Sequence, residues 1–256
     1  MQGHETISAA IRAAKARGEP ALVAYLTAGF PSRDSFTQHV QAIAAAADVV
    51  EIGVPFTDPM ADGVTIQRAS HAALAQGVSL RWILAQLATM QRAKTPLLLM
   101  SYLNPLLALG LEALSASAAR AGVAGFIVPD LPFDESAELR AALDTQGLAL
   151  VQMVTPVTAP QRLQQVCASS QGFVYAVTMT GTTGKNVAVP PEVTGYLDTV
   201  RSLSPVPVCA GFGIRSRDQL ALLRDHVDGV VIGSALVELL ERGGDPERWL
   251  RDLRGR

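Results

Sequence analysis

Cysteine, aromatic residues and blocks of like charge are all scarce in this chain, and each shortage closes off a class of protein. The two cysteines, Cys167 and Cys209, lie far apart in apolar settings, offer neither a disulfide framework nor a metal motif, and read as buried, inert thiols. Basic residues are scattered and the formal net charge is -2, so the chain lacks an electrostatic footprint for DNA or an anionic membrane. No apolar run approaches the roughly 18 residues of a membrane span. The opening "MQGHETISAAIRAAKARGEP" has helical apolar spacing but no signal-peptide core, so a soluble cytoplasmic protein is expected. His4, His39, His71 and His226 fall in helix-like or terminal segments, away from Cys, Asp or Glu at ligand spacing, and no metal is expected.

What remains is an aliphatic core: 49% of residues are hydrophobic and only 5% aromatic. Strand-length apolar runs recur at 21–28, 48–54, 96–102, 125–130, 148–155, 172–179, 206–214 and 229–234, separated by amphipathic or Ala-rich segments. Such near-continuous strands imply a parallel sheet covered by helices. Eight units predict a single-domain α/β protein, a (β/α)8 TIM barrel over residues 1–256. An open doubly wound sheet is the alternative.

In a barrel the chemistry gathers at the C-terminal ends of the strands. The seventh end, "GFGIRSRDQ", has Gly211 and Gly213 followed by an S-x-x-Q capping box, Ser216 to Gln219; the eighth, "GSAL", runs straight into a helix. Glycines admit an anion to backbone N–H groups and a helix N-terminus favours negative charge, so the two ends together point to a phosphate site. Ser234 lacks a G-x-S-x-G elbow and a base, and reads as a phosphate donor, not a nucleophile.

"DVVEIGVPFTDPMADG" sets Glu51 inside the second apolar run. Period-two alternation puts Glu51 on the face of Val49 and Gly53, and if that face points inward the carboxyl stands at the barrel mouth with a raised pKa, suited to proton transfer. A glutamate satisfied by a buried Arg or Lys is the other reading. Asp58 and Asp62 follow in the loop, where aspartates usually form turns or caps. Asp62 is favoured by its place on this long loop, from which it can fold back over Glu51.

The run "EIGVPFTDPMADGVTIQ", with "YLTAG", "MSYLNP", "PDLPFDES", "TGTTG", "GFGI" and "GSA" in the same order, closely resembles the tryptophan synthase alpha chain family over essentially the whole length. That resemblance implies retro-aldol cleavage of indole-3-glycerol phosphate to indole and glyceraldehyde 3-phosphate. It also implies an alpha2beta2 complex with a beta chain that carries pyridoxal phosphate, this chain needing no cofactor of its own. The family's glutamate matches Glu51, the general acid and base, and its aspartate matches Asp62, which would bond the indole N–H. Phosphate would rest on Gly184, Gly213, Gly233 and Ser234, and indole among Tyr102, Ile127, Met153, Tyr175 and Phe212. Thr183 would belong to a loop closing over the substrate, and Asp58 and Asn104 to loop or partner contacts. Three departures stand out: Phe30 where the family commonly has an acidic residue, Val64 for its proline and Thr182 for its valine. They leave room for a stand-alone lyase; a barrel kept mainly as a regulatory or interaction subunit is the other alternative, against which the retained Glu51, Asp62 and phosphate glycines argue.

Overall fold

All eight expected strands form in the computed structural model, which describes residues 2–178, 190–211 and 213–255. They are β1 (Ala21–Thr27), β2 (Val49–Gly53), β3 (Leu97–Met100), β4 (Val123–Ile127), β5 (Ala149–Val154), β6 (Val174–Val177), β7 (Val208–Gly211) and β8 (Gly229–Ile232). Each pairs in parallel with its sequence neighbours, and β8 returns to β1 to close the barrel. The observed strands are mostly shorter than the apolar runs, because the ends of those runs peel away into loops. Expected from 125, β4 instead starts at Val123, which pairs with Leu97 beside a register irregularity.

Around the barrel lie α1 (Gly3–Ala16), α2 (Phe36–Ala44), α3 (Val64–Ala75), α4 (Leu80–Thr89), α5 (Leu103–Leu109), α6 (Leu111–Arg120), α7 (Ala137–Asp144), α8 (Pro160–Ser169), α9 (Pro191–Leu203), α10 (Arg217–Leu223), α11 (Ser234–Glu241) and α12 (Pro246–Arg254). Two of these, α3 and α5, interpose between the functional loops of β2 and β3 and the helices expected there.

Both faces of the strands are buried, which explains why they read as unbroken apolar runs. Leu22, Ala24 and Leu26 of β1 face the helices, while Ala21 and Val23 join Val49, Leu98, Ile127, Val151 and Cys209 inside the barrel. Two inward glycines make room for two tyrosines: a Cβ on Gly53 would lie 2.1 Å from the Tyr25 hydroxyl, and one on Gly211 would lie 2.9 Å from Tyr175.

Helix α1 seals the other end. Its Ile7, Ile11 and Ala14 are fully buried in the interior cluster. Gly3 N–H donates to Gly147 O at 2.7 Å, Ser8 Oγ to Gly172 O at 2.6 Å and Lys15 Nζ to Val227 O at 2.8 Å, all carbonyls just before strands begin. Nearby, Arg254 at the end of α12 pairs with Asp48 and Glu19, and Asp48 also accepts Leu22 N–H at 2.8 Å, which pins the base of β2.

Truncating the floor tests this assignment: Ile7→Ala is expected to cost about 2–5 kcal/mol, read as a lower urea midpoint at unchanged m-value, whereas a loss of only tenths of a kcal/mol would show that α1 is not integral to the core.

Candidate active site

Glu51 points into the barrel, in register between Tyr25 of β1 and Leu98 of β3, and is 1% exposed. Its Oε2 has no hydrogen-bond partner among the described residues, so the reading of a carboxylate satisfied by a buried cation does not hold for that oxygen. Burial, and secondarily the Asp62 charge, push its pKa up to about 8.

Asp62 is brought over it by a folded loop. Asp62 N–H bonds to Pro59 O at 3.1 Å, and the Gln67 amide of α3 donates to Asp62 O at 2.9 Å. The carboxylate accepts from the Tyr102 hydroxyl at 3.2 Å, and the same hydroxyl accepts from Ala61 N–H at 2.8 Å. Burial lifts the Asp62 pKa to about 6, and the Tyr102 bond opposes that rise. Tyr102 itself is pushed up to about 12 by burial and stays a donor, its ring stacked on Phe56 at 5.0 Å. Two acids thus differ in pKa by environment, with Glu51 the more basic, an arrangement that suits one acid–base group and one stabilising charge.

These groups line a cavity of about 930 Å³ at the C-terminal ends of the strands, of a size usual for small-molecule sites. Met153 and Tyr175 form its walls with Met100, Val177 and Val231, and Gly213, Gly233 and Ser234 lie at its rim. Ile127 is instead packed in the fully buried interior cluster and is absent from the cavity wall, and Tyr102 acts through its bond to Asp62 more than as apolar wall. Thr182, Thr183, Gly184 and Phe212 lie outside the described residues. Asp58 and Asn104 are exposed, Asp58 bonded to the Thr57 hydroxyl at 2.5 Å.

The phosphate-like rim follows from local chemistry. Gly213 has φ +66, a left-handed conformation that side chains rarely adopt, although a Cβ there would meet nothing within 4 Å. Ser216 caps α10, accepting Gln219 N–H at 3.4 Å, and the Gln219 side chain reaches one residue further than a capping box requires, to Arg215 N–H at 2.8 Å. Gly233 is the N-cap of α11, whose first N–H groups lack intrahelical acceptors by geometry. Among the described residues, no group of three or more His, Cys, Asp or Glu is placed to hold a metal.

Sequence reasoning missed Tyr25, Thr65, Arg215 and Glu238, all in the cavity wall. Only Tyr25 carried a signal, since alternation from Val23 places it inward beside Glu51. Its hydroxyl pairs with that of Thr27 at 3.2 Å, and burial with the two nearby carboxylates keeps it protonated.

Comparison with known proteins finds relatives over nearly the whole chain. The family model described as tryptophan synthase alpha chain matches residues 11–253. The tryptophan synthase alpha chain of Nitratidesulfovibrio vulgaris (strain DP4) is 45% identical over 243 residues, 94% of this chain and 95% of that one. That of Carboxydothermus hydrogenoformans is 44% identical over 229 residues, 89% of this chain and 86% of that one. A solved structure of tryptophan synthase from M. tuberculosis, an open form with BRD0059 bound, superposes with a TM-score of 0.86 at 35% identity, covering 97% of this chain and 95% of that chain.

The buried acid has a stability signature. A carboxyl whose folded pKa is raised from 4.5 to about 8 contributes stability that is complete below the unfolded value and is lost as pH rises through the folded one. Glu51→Gln, which stays neutral, is therefore expected to match wild type near pH 4.5 and to exceed it by roughly 2–5 kcal/mol at pH 8. Urea midpoints of both proteins across that range check this, and parallel curves would refute a buried, proton-bearing Glu51.

Proposed function

From the chain's membership of the tryptophan synthase alpha chain family, lyases acting on indole-3-glycerol phosphate, we propose that Glu51 and Asp62 carry out the retro-aldol cleavage of that substrate. The observation that carries the reading is a buried glutamate, one of its oxygens unpartnered among the described residues, and an aspartate in the wall of the same cavity, the pKa of each raised by burial. Glu51, protonated at neutral pH, donates its proton to the ring carbon that bears the glycerol chain, giving an indolenine cation. Asp62 accepts the ring N–H and stabilises that charge. The Glu51 carboxylate then takes the proton from the side-chain hydroxyl as the carbon–carbon bond breaks, releasing indole and an aldehyde and restoring the acid.

Phosphate at Gly213, Gly233, Ser234 and the α11 N-terminus supplies remote binding energy that orients the reacting end. Met153 and Tyr175 offer apolar and aromatic surface to the indole. Thr183, Gly184 and Phe212 keep the roles that the family resemblance gives them: loop closure, phosphate contact and indole contact. The proton relay needs no cofactor in this chain.

A partner on the mouth is supported by exposed apolar side chains on the segments that follow β2, β3 and β5, Met60 at 84% and Val157 at 78% in loops, Val64 at 78% at the start of α3 and Leu107 at 50% in α5. Scattered apolar residues are ordinary, whereas a set gathered at one barrel end suits an interface. Asp58 lies in the same loop as Met60, and Asn104 in α5 with Leu107. The partner proposed is a tryptophan synthase beta chain carrying pyridoxal phosphate, in an alpha2beta2 complex. No helix among the described residues is long and apolar enough to cross a membrane.

Indole release from indole-3-glycerol phosphate by the whole chain, with and without a beta chain, tests the reading. Glu51→Gln is expected to slow turnover by roughly 10²-fold to 10⁴-fold, and wild-type activity in this variant would remove Glu51 from the mechanism. The profile of kcat/KM against pH should be bell-shaped, with an acid limb near Asp62's value of about 6 and an alkaline limb near Glu51's of about 8. In Tyr102→Phe the ionised Asp62 loses a donor, so its pKa rises and the acid limb moves upward; an unmoved limb would detach Asp62 from that step.

A further inference from the structure

Among the described residues lining the cavity, the cations are Arg162 and Arg215. Arg162 is engaged with Asp134 at 2.5 Å. Arg215 stands two positions after Gly213, and its guanidinium lies fork to fork on Glu238 of α11, Nη1 to Oε2 at 2.8 Å and Nη2 to Oε1 at 3.1 Å. The same Oε1 accepts the Thr65 hydroxyl at 3.2 Å. Thr65 is the second residue of α3, which follows directly on the loop carrying Asp62. One turn further along both helices the tie repeats, with Arg68 on Glu241 at 3.1 and 2.6 Å.

Ordinary stability does not account for this placement. Arg215 is 43% exposed, and an exposed ion pair is worth about 0–1 kcal/mol. A carboxylate one helical turn from the proposed phosphate seat would also repel a dianion. Arg215 cancels that charge, and the pairing holds Glu238 ionised, its pKa below the usual carboxylate range. What the arrangement supplies is geometry: one carboxylate joins the Gly213 loop, the α11 N-terminus and the helix behind Asp62.

We propose that Glu238 is a positioning residue that binds the phosphate-seating loop, through Arg215, and the Asp62-bearing segment, through Thr65, to one helix end, so that phosphate occupancy is coupled to the alignment of Asp62. This rests on the function proposed above. Arg215 governs the phosphate half of the coupling and Thr65 the Asp62 half.

Steady-state cleavage of indole-3-glycerol phosphate by the full chain separates the two. Glu238→Ala keeps a helix-favouring residue and should raise KM and lower kcat, each roughly three- to tenfold. Thr65→Val should lower kcat by a similar factor and leave KM unchanged. In the swap Arg215→Glu with Glu238→Arg, the ion pair re-forms with its charges reversed and KM should return toward wild type. Thermal midpoints check that each variant is folded. The inference is overturned if Glu238→Ala leaves KM and kcat within twofold of wild type, or lowers KM as mere removal of negative charge would. A swap that fails to restore KM, or a Thr65→Val variant with wild-type kcat, also overturns it. If wild type itself releases no indole, the functional reading falls and takes this one with it; an active wild type with silent variants removes only the role of Glu238.

Discussion

Burying the Glu51 carboxyl, its Oε2 unpartnered among the described residues, favours the form that carries a proton, and the upper barrel is arranged around that preference. The nearby Asp62 charge strengthens it, since two ionised carboxylates in one low-dielectric site repel. Tyr102 pulls the other way on Asp62 alone, donating to its carboxylate. Near neutral pH the pair therefore holds a proton on Glu51 and a charge on Asp62. No metal or cationic side chain is required to separate the roles.

The closed parallel barrel makes this division durable. Inward positions of β1 and β2 set Tyr25 beside Glu51, and Gly53 keeps clear the space that Tyr25 fills. Helices inserted after the strands bring in the remaining groups: α3 anchors the Asp62 loop through Gln67, the chain entering α5 presents Tyr102, and α11 begins where β8 ends. Floor and walls are aliphatic packing, while the polar work is concentrated at one end, as in other barrels of this kind.

Much of this was legible in the sequence because two signals are local. Buried parallel strands need apolar residues on both faces, so all eight appeared as runs, and a single charge inside one run marked Glu51. Asp62 was marked by its loop. What stayed hidden depends on contacts between distant segments. The Tyr102–Asp62 bond joins residues 40 positions apart and the Thr65–Glu238 bond residues 173 apart, and neither leaves a periodic trace. Helix α3, "VTIQRASHAALA", begins with a β-branched pair right after a loop, residues of modest helix propensity that weaken its helical signal. Ile127 carried the right apolar character for an indole wall, yet burial depth, which no alternation rule encodes, places it in the packed interior.

Helix α1, docked under the barrel by Ile7 and Ile11, turns the cavity into a vessel with a stopper in its base. Substrate and products then share the rim as their route, entering and leaving past the same exposed Met60, Val64 and Val157. Whatever molecule rests on that rim stands in the outflow. A neutral apolar product would therefore leave across those apolar side chains, because the plugged base gives it no second exit.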